Sequence, residues 1–235
     1  LVEIHAGMAT KYTWGDWNWK KAEKEILKAI ELNPNYAFSH AYYSHFLAIM
    51  GDPEKGLPHS ELAMELDPFN TLYMSIHAQA LKNAGRFDEA LELLLKLYEI
   101  EPDQGIALPA LWAVYHELGD SQKALDIAKK IYELRENELA LKSLEEGFEE
   151  GGYHLAMQRT AEMMISQRGS IYFPSWQIFT LYCRAEMKVE ALAWLEIAFE
   201  EHDSNKPYIS KDPLFDFLRD DPGFLKILQK MNLSA

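Results

Sequence analysis

Eight histidines are the residues best equipped to hold a metal or move a proton. Zinc hydrolases place two of them four residues apart on one helical face, with a glutamate next to the first. No pair here has that spacing, and His40 and His45, five residues apart, are separated by more than a helical turn. His40 and His77 fall where a helical repeat packs its first helix, which gives them structural roles. His45 and His116 are the two with a prospect of meeting a ligand. Cys183 sits among Tyr182, Arg184 and Ala185 in a helical pattern, the setting of a small buried hydrophobe rather than a nucleophile. As the single cysteine it excludes an intramolecular disulfide and a multi-cysteine zinc site. Gly151-Gly152 stands before Tyr153 without the strand or lysine of a phosphate-cradling loop and reads as a turn between helices. Ser170 follows Gly169, but there is no GxSxG elbow. The carboxylate pairs Glu145-Glu146, Glu149-Glu150 and Asp220-Asp221 belong to solvated helical faces. The expectation is a chain with no catalytic residues, no metal and no cofactor.

Charge narrows the partners. With 23 basic and 37 acidic residues the net charge is −14, a field that repels nucleic acid and anionic lipid. Lys20, Lys21, Lys24 and Lys28 lie among Glu23, Glu25 and Glu31 and make no basic patch. No apolar run approaches the roughly 18 residues of a membrane span, so neither nucleic-acid binding nor membrane insertion is expected. No signal peptide is visible. The chain opens at Leu1 and reads as an excised or processed piece of a larger parent. One cysteine is compatible with either a cytoplasmic or an oxidising compartment; the cytoplasm is the weakly favoured expectation and the periplasm the alternative.

Periodicity carries the organisation. Pro34, Pro68 and Pro102 are spaced by 34 residues, in IELNPN, MELDPF and YEIEPD. Gly51, Gly85 and Gly119 keep the same step, and so do the small residues Ala22, Gly56, Ala90 and Ala124. Each unit reads as two helices. In the unit from Thr71, Met74, His77, Ala78 and Leu81 make one helical face, Gly85 stops that helix, and Ala90, Leu91, Leu94 and Leu97 make the apolar face of the next. A proline then ends it. A hairpin of this length cannot bury its face alone and must stack on neighbours.

These landmarks resemble the tetratricopeptide repeat (TPR) family. The resemblance is clearest over 37–70, 71–104 and 105–138. Trp19 to Asn35 matches an earlier second helix, with Val2 to about Thr13 as its partner. Later units depart from the pattern: a fifth around Gly151, Tyr153 and Ala156 fits with a small shift, and a sixth, about Pro174 to Asp203, keeps Ala191, Leu195 and Ala198. Glu186 stands where the sixth turn glycine is expected, and Glu136 replaces the fourth proline. The resemblance implies an all-α fold, a right-handed α-solenoid of about five to six TPR helical hairpins over residues 1–203, with 204–235 as a C-terminal cap. Asp221-Pro222 is a good helix start for that cap, followed by Phe224, Leu225, Leu228 and Met231 at helical spacing, with Phe215 and Leu218 adding apolar weight. Pro58, inside a second helix, should kink or delay it. The DWNW stretch from Asp16 to Trp19 and the tail DPLFDFLRDDPGF are similar to bacterial TPR regions of multidomain signalling proteins, where such arrays follow kinase, cyclase or winged-helix modules.

In that family the first helices line a concave groove. Carried over residue by residue, the groove would comprise Phe38, Tyr42, His45 and Ile49, then Leu72, Ser75, Gln79, Lys82 and Asn83, then Ile106, Pro109, Ala113, His116 and Glu117. Lys82 and Asn83 alone do not make the lysine–asparagine clamp that some members close on a terminal carboxylate. Trp14, Trp17 and Trp19 could form a stacking platform, but packing of the first helical pair is the simpler use. The functional expectation is a non-catalytic protein–protein interaction scaffold that binds a peptide, a partner domain or another domain of its parent. The alternative is a sensor that binds a small molecule and regulates an attached kinase, cyclase or DNA-binding module.

Overall fold

The computed structural model describes residues 1–102, 107–203 and 205–233. The fold is all-α, a succession of helical hairpins, and its contacts divide it into two compact units. The first holds α1 (Val2–Thr10), α2 (Trp19–Leu32), α3 (Ala37–Met50), α4 (Pro53–Leu66), α5 (Thr71–Asn83) and α6 (Phe87–Ile100), each packed on the next. It also takes in Pro207–Pro213 and the chain from Leu228. The second holds α7 (Ala107–Glu117), α8 (Ser121–Leu134), α9 (Glu138–Gln167), α10 (Ser175–Arg184) and α11 (Lys188–Glu200), together with Leu214–Ile227. The final helix is α12 (Pro222–Lys230).

The glycine register closes the hairpins. Gly51, Gly85 and Gly119 have φ of 92°, 74° and 72°, the left-handed region that costs glycine nothing. At each, the following amide donates back to a carbonyl five residues earlier: Asp52 to Leu47 at 2.8 Å, Arg86 to Leu81 at 2.9 Å, Asp120 to Tyr115 at 3.0 Å. This is the Schellman closure. The two positions where the sequence departs from the repeat adopt the same geometry without glycine. Glu136 has φ 51° and Glu186 φ 56°, with Asn137 donating to Tyr132 at 2.9 Å and Met187 to Tyr182 at 3.0 Å. The proline register ends second helices, and Asn18, Asn70, Asp120 and Asn137 cap the helices that follow them, each accepting an amide three residues on.

Small residues let the helices touch. Ala22, Ala90 and Ala124 are fully buried, and a methyl on Gly56 would meet the Ser44 carbonyl of α3 at 2.9 Å. The fifth hairpin is folded from a single helical run, bent at Gly151-Gly152. Gly152, at φ 81° and ψ −165°, occupies a region essentially reserved for glycine. The two halves of α9 come so close that a methyl on Gly147 would lie 2.7 Å from the Cα of Ala156. In the sixth unit Ala191, Leu195 and Ala198 are fully buried. α4 starts at Pro53 and runs through Pro58 to Leu66, so that proline neither delays nor ends the helix.

The tail is two 3-10 turns, Lys206–Ser210 and Pro213–Leu218, followed by α12; Phe215, Leu218, Phe224, Leu228 and Met231 are buried, whereas Phe217 and Leu225 are exposed. In the second unit Phe215 stacks on Phe179 at 5.0 Å and meets Trp176 edge-on. In the first, the Trp19 indole donates to the Met231 carbonyl at 2.7 Å.

Left-handed backbone costs a residue with a Cβ about 1–2 kcal/mol, partly offset by the greater unfolded-state freedom of glycine. Glu186→Gly should therefore stabilise the protein by about 0.5–1 kcal/mol and raise its melting temperature by about 2 °C. A lower melting point would mean that the Glu186 side chain contributes more than its backbone conformation costs.

Candidate functional site

The first helices of the first unit's three hairpins, α1, α3 and α5, converge on an open cavity of about 280 Å³. Thr10 and Trp14 line it from the first hairpin, Tyr42 and His45 from α3, and Leu72, Ser75, Ile76 and Gln79 from α5. The remaining wall is Tyr208, from the 3-10 turn in the tail. These positions share faces because Tyr42 and His45 are three apart on one helix, and Leu72, Ser75 and Gln79 recur at three and four. Trp14 arrives differently. α1 widens at its end into a π turn over Lys11–Gly15, closed by the Asp16 amide on the Lys11 carbonyl at 3.1 Å. Such turns re-aim the side chains they carry, and they are frequent at functional sites.

The walls are aromatic and hydrogen-bonded to one another. Tyr42 stacks on Phe38 at 4.1 Å, and Trp14 stands edge-on to Tyr42 and His45 at 5.7 and 5.3 Å. The Trp14 indole N–H donates to the Tyr208 hydroxyl oxygen at 3.1 Å. That hydroxyl in turn lies within hydrogen-bond distance of His45 Nε2, at 2.9 Å, and donates to it in the tautomer that carries its proton on Nδ1. Burial pushes His45 down to about 4 and Tyr208 up to about 12, the indole hydrogen bond only partly opposing the latter, and burial raises Tyr42 as well. The cavity wall is therefore uncharged near neutral pH. One charge pair lies in the same unit: Lys82 Nζ meets Asp212 Oδ2 at 2.5 Å, both side chains largely buried.

The residues expected to form the groove are distributed as follows. Tyr42, His45, Leu72, Ser75 and Gln79 come together around the cavity. Phe38 flanks it, half-buried and packed on the cluster of Ala41, Ala63, Tyr73 and Ile76. Ile49 is 2% exposed and belongs to the core, because it lies on the face of α3 that packs inward. Lys82 does not line an open groove either, since Asp212 already holds it. Asn83 is half-buried. Ile106 lies outside the described residues. Ala113 and His116 are on α7 in the second unit, where His116 packs against Tyr153 at 5.8 Å. Pro109 and Glu117 are on the same helix.

Four residues that line the cavity, Thr10, Trp14, Ile76 and Tyr208, were not anticipated, nor was Asp212, which holds Lys82. Trp14 belonged to an aromatic cluster assigned to packing, and Tyr208 and Asp212 to a tail assigned to capping. The histidines read as structural have structural partners: His40 bonds to the Pro34 carbonyl at 2.8 Å and to His59 at 2.9 Å, and His77 to the Ser60 hydroxyl at 2.8 Å. Cys183 is buried. Among the described residues no three metal-ligating side chains cluster, and no helix is long and apolar enough to cross a membrane.

Residues 74–104 match the tetratricopeptide repeat family model. No curated protein matches the chain in sequence. Among solved structures, the chain is similar to PilF of Pseudomonas aeruginosa, with a TM-score of 0.58 and 16% identity over 88% of this chain and 94% of that one. It is also similar to a tetratricopeptide repeat protein from Parabacteroides merdae, with a TM-score of 0.55 and 16% identity over 98% and 92%. The fold is that of TPR proteins, whose repeats in general mediate protein–protein interaction.

His45 is kept neutral in the folded protein, whereas an unfolded histidine takes up a proton below about pH 6.5. Its contribution to stability is complete above that value and is lost as pH falls toward 4. His59 and His77, also lowered by burial, act in the same direction. At pH 5 the loss from His45 is about 2 kcal/mol. Thermal melts between pH 7 and 4.5 should show the decline, and His45→Gln, which keeps an acceptor for Tyr208, should flatten it. An unchanged slope in that variant would place the acid sensitivity elsewhere.

Proposed function

We propose that this chain is a non-catalytic interaction module that holds a segment of a protein partner, or of another domain of its parent, on the face formed by α1, α3 and α5. The observation that carries this reading is the cavity where those three helices converge, lined by Trp14, Tyr42, His45 and Tyr208 with Ser75 and Gln79 beside them. Aromatic walls with a few hydrogen-bonding groups suit an apolar anchor and the polar backbone around it. Phe38, Leu72 and Asn83 would extend the contact along the same helices, and Ala113 and His116 would offer a second patch on α7.

Binding fits this site better than turnover. A general base works best with a pKa near the working pH. His45 sits far below neutrality with its Nε2 already engaged, and Tyr42 and Tyr208 are pushed above their ordinary range. The similarity of DWNW and of the tail to bacterial signalling proteins supports a regulatory or scaffolding setting.

Replacing Phe38, Tyr42 and Gln79 together by alanine should reduce capture of the chain's partners at least tenfold while far-ultraviolet circular dichroism stays helical. Equal capture of the same proteins by the triple variant would refute the groove assignment.

The cavity also favours a second reading, a small-molecule sensor, because its volume is close to the lower bound for ligand pockets. A ligand that binds only the folded state raises the melting temperature by mass action. Screening nucleotides, sugars and short peptides by thermal shift should yield a saturable rise for a sensor. A flat response to the small molecules, with a rise for peptides, would leave the interaction module standing alone.

A further inference from the structure

The face assigned to a partner is already in contact with a piece of this chain. Pro207–Pro213, sequence PYISKDP, lies within the first unit and is held there by two anchors. Its tyrosine hydroxyl is bonded by the Trp14 indole and bonds His45. Its aspartate, four residues on, neutralises the buried ammonium of Lys82 at 2.5 Å. Between them Ile209 and Ser210 are fully buried, and the Lys211 stem passes over Gly51, leaving no room there for a methyl. The anchoring residues Trp14, His45 and Lys82 come from the same three helices that line the cavity.

We infer that this strap is a resident ligand of the groove, and that the groove recognises in a partner protein the chemistry the strap displays: a tyrosine in a short 3-10 turn, followed four residues later by a carboxylate. The inference rests on the reading of this face as a partner site and specifies what it binds. The phenol is selected because a single hydroxyl meets both the Trp14 indole N–H and His45 Nε2, contacts that phenylalanine leaves unmade. The carboxylate is selected because Lys82 is 7% exposed at its side chain and has no other carboxylate partner among the described contacts. A buried ammonium left unpaired is strongly unfavourable, so whatever displaces the strap must bring an anion to the same point. The strap also lowers the apparent affinity for an incoming segment, because only the fraction of molecules with the strap lifted is competent.

The test uses the full chain and a labelled synthetic peptide, PYISKDP, read by fluorescence polarisation. Tyr208→Ala with Asp212→Ala should free the groove, and the peptide should then bind at least tenfold more tightly than it binds the unaltered chain. Replacing the peptide's tyrosine by phenylalanine, or its aspartate by asparagine, should weaken binding at least tenfold, and Lys82→Met in the freed chain should abolish the preference for aspartate. If the double variant does not fold, Tyr208→Phe with Asp212→Asn, which preserves shape, takes its place with the same expectation. A folded, freed chain that binds PYISKDP no better than a scrambled peptide overturns the inference. Loss of partner capture by the groove triple variant, alongside failure of the peptide, would retain the groove and remove only the recognition rule. Unaffected capture would remove the groove assignment itself.

Discussion

The hairpins α3–α4, α5–α6, α7–α8 and α10–α11 each close where a residue at the end of the first helix takes left-handed backbone, so that the next amide turns back to a carbonyl five residues earlier. Gly51, Gly85 and Gly119 do this without strain, and the 34-residue spacing of those glycines fixes the pitch at which helices alternate. Once the turns are set, the small residues near the start of each second helix can lie against the first. The first helices α1, α3 and α5 of successive hairpins then fall side by side in the first unit, all presenting one face to a common cavity. The site is a consequence of the turns.

That dependence explains which parts of the structure were legible. The turn, proline and small-residue registers are local, so the hairpins and the centre of each helix's apolar stripe follow from spacing. Five expected groove residues, Tyr42, His45, Leu72, Ser75 and Gln79, surround the cavity for this reason. Glu136 and Glu186 looked like lapses in the pattern, yet both turn as glycine would, because the packing of neighbouring helices compels a conformation that the residue itself disfavours. Ile49 was misplaced by one face of α3: helical spacing gives a stripe, and the edge of that stripe is decided by which neighbour packs there. The strap could not be read at all. Its contact with α1, α3 and α5 spans up to 194 residues of sequence, and a tyrosine and an aspartate in a tail carry no periodic signal. Trp14 was visible as an aromatic, but the π turn that re-aims it was not.

The electrostatics of the site follow from the same burial. In a chain of net charge −14, a lysine drawn into the groove and kept dry would be expected to attract any acidic segment. Asp212 satisfies it from within, while His45 is held neutral by desolvation. The face is thereby stripped of exposed charge, and what it offers is shape, aromatic surface and paired hydrogen-bonding groups. Such a surface discriminates through unmade bonds: a ligand that fails to supply both the hydroxyl and the carboxylate leaves an indole donor and an ammonium without partners in a dry environment.

It follows that the groove cannot simply open and wait. Lifting the strap exposes Lys82 and the Trp14 indole to be rehydrated, and it also exposes Ile209 and the aromatic row, so the empty state is disfavoured on both polar and apolar grounds. Exchange of one occupant for another is then coupled, the incoming segment restoring each contact that the strap gives up. Because the strap is tethered in the same chain, it competes at a high effective concentration, commonly in the millimolar range for short flexible tethers. A partner displaces it only by adding contacts the strap does not make, and the open part of the cavity beside Leu72, Ser75 and Gln79 is where the structure leaves room for them.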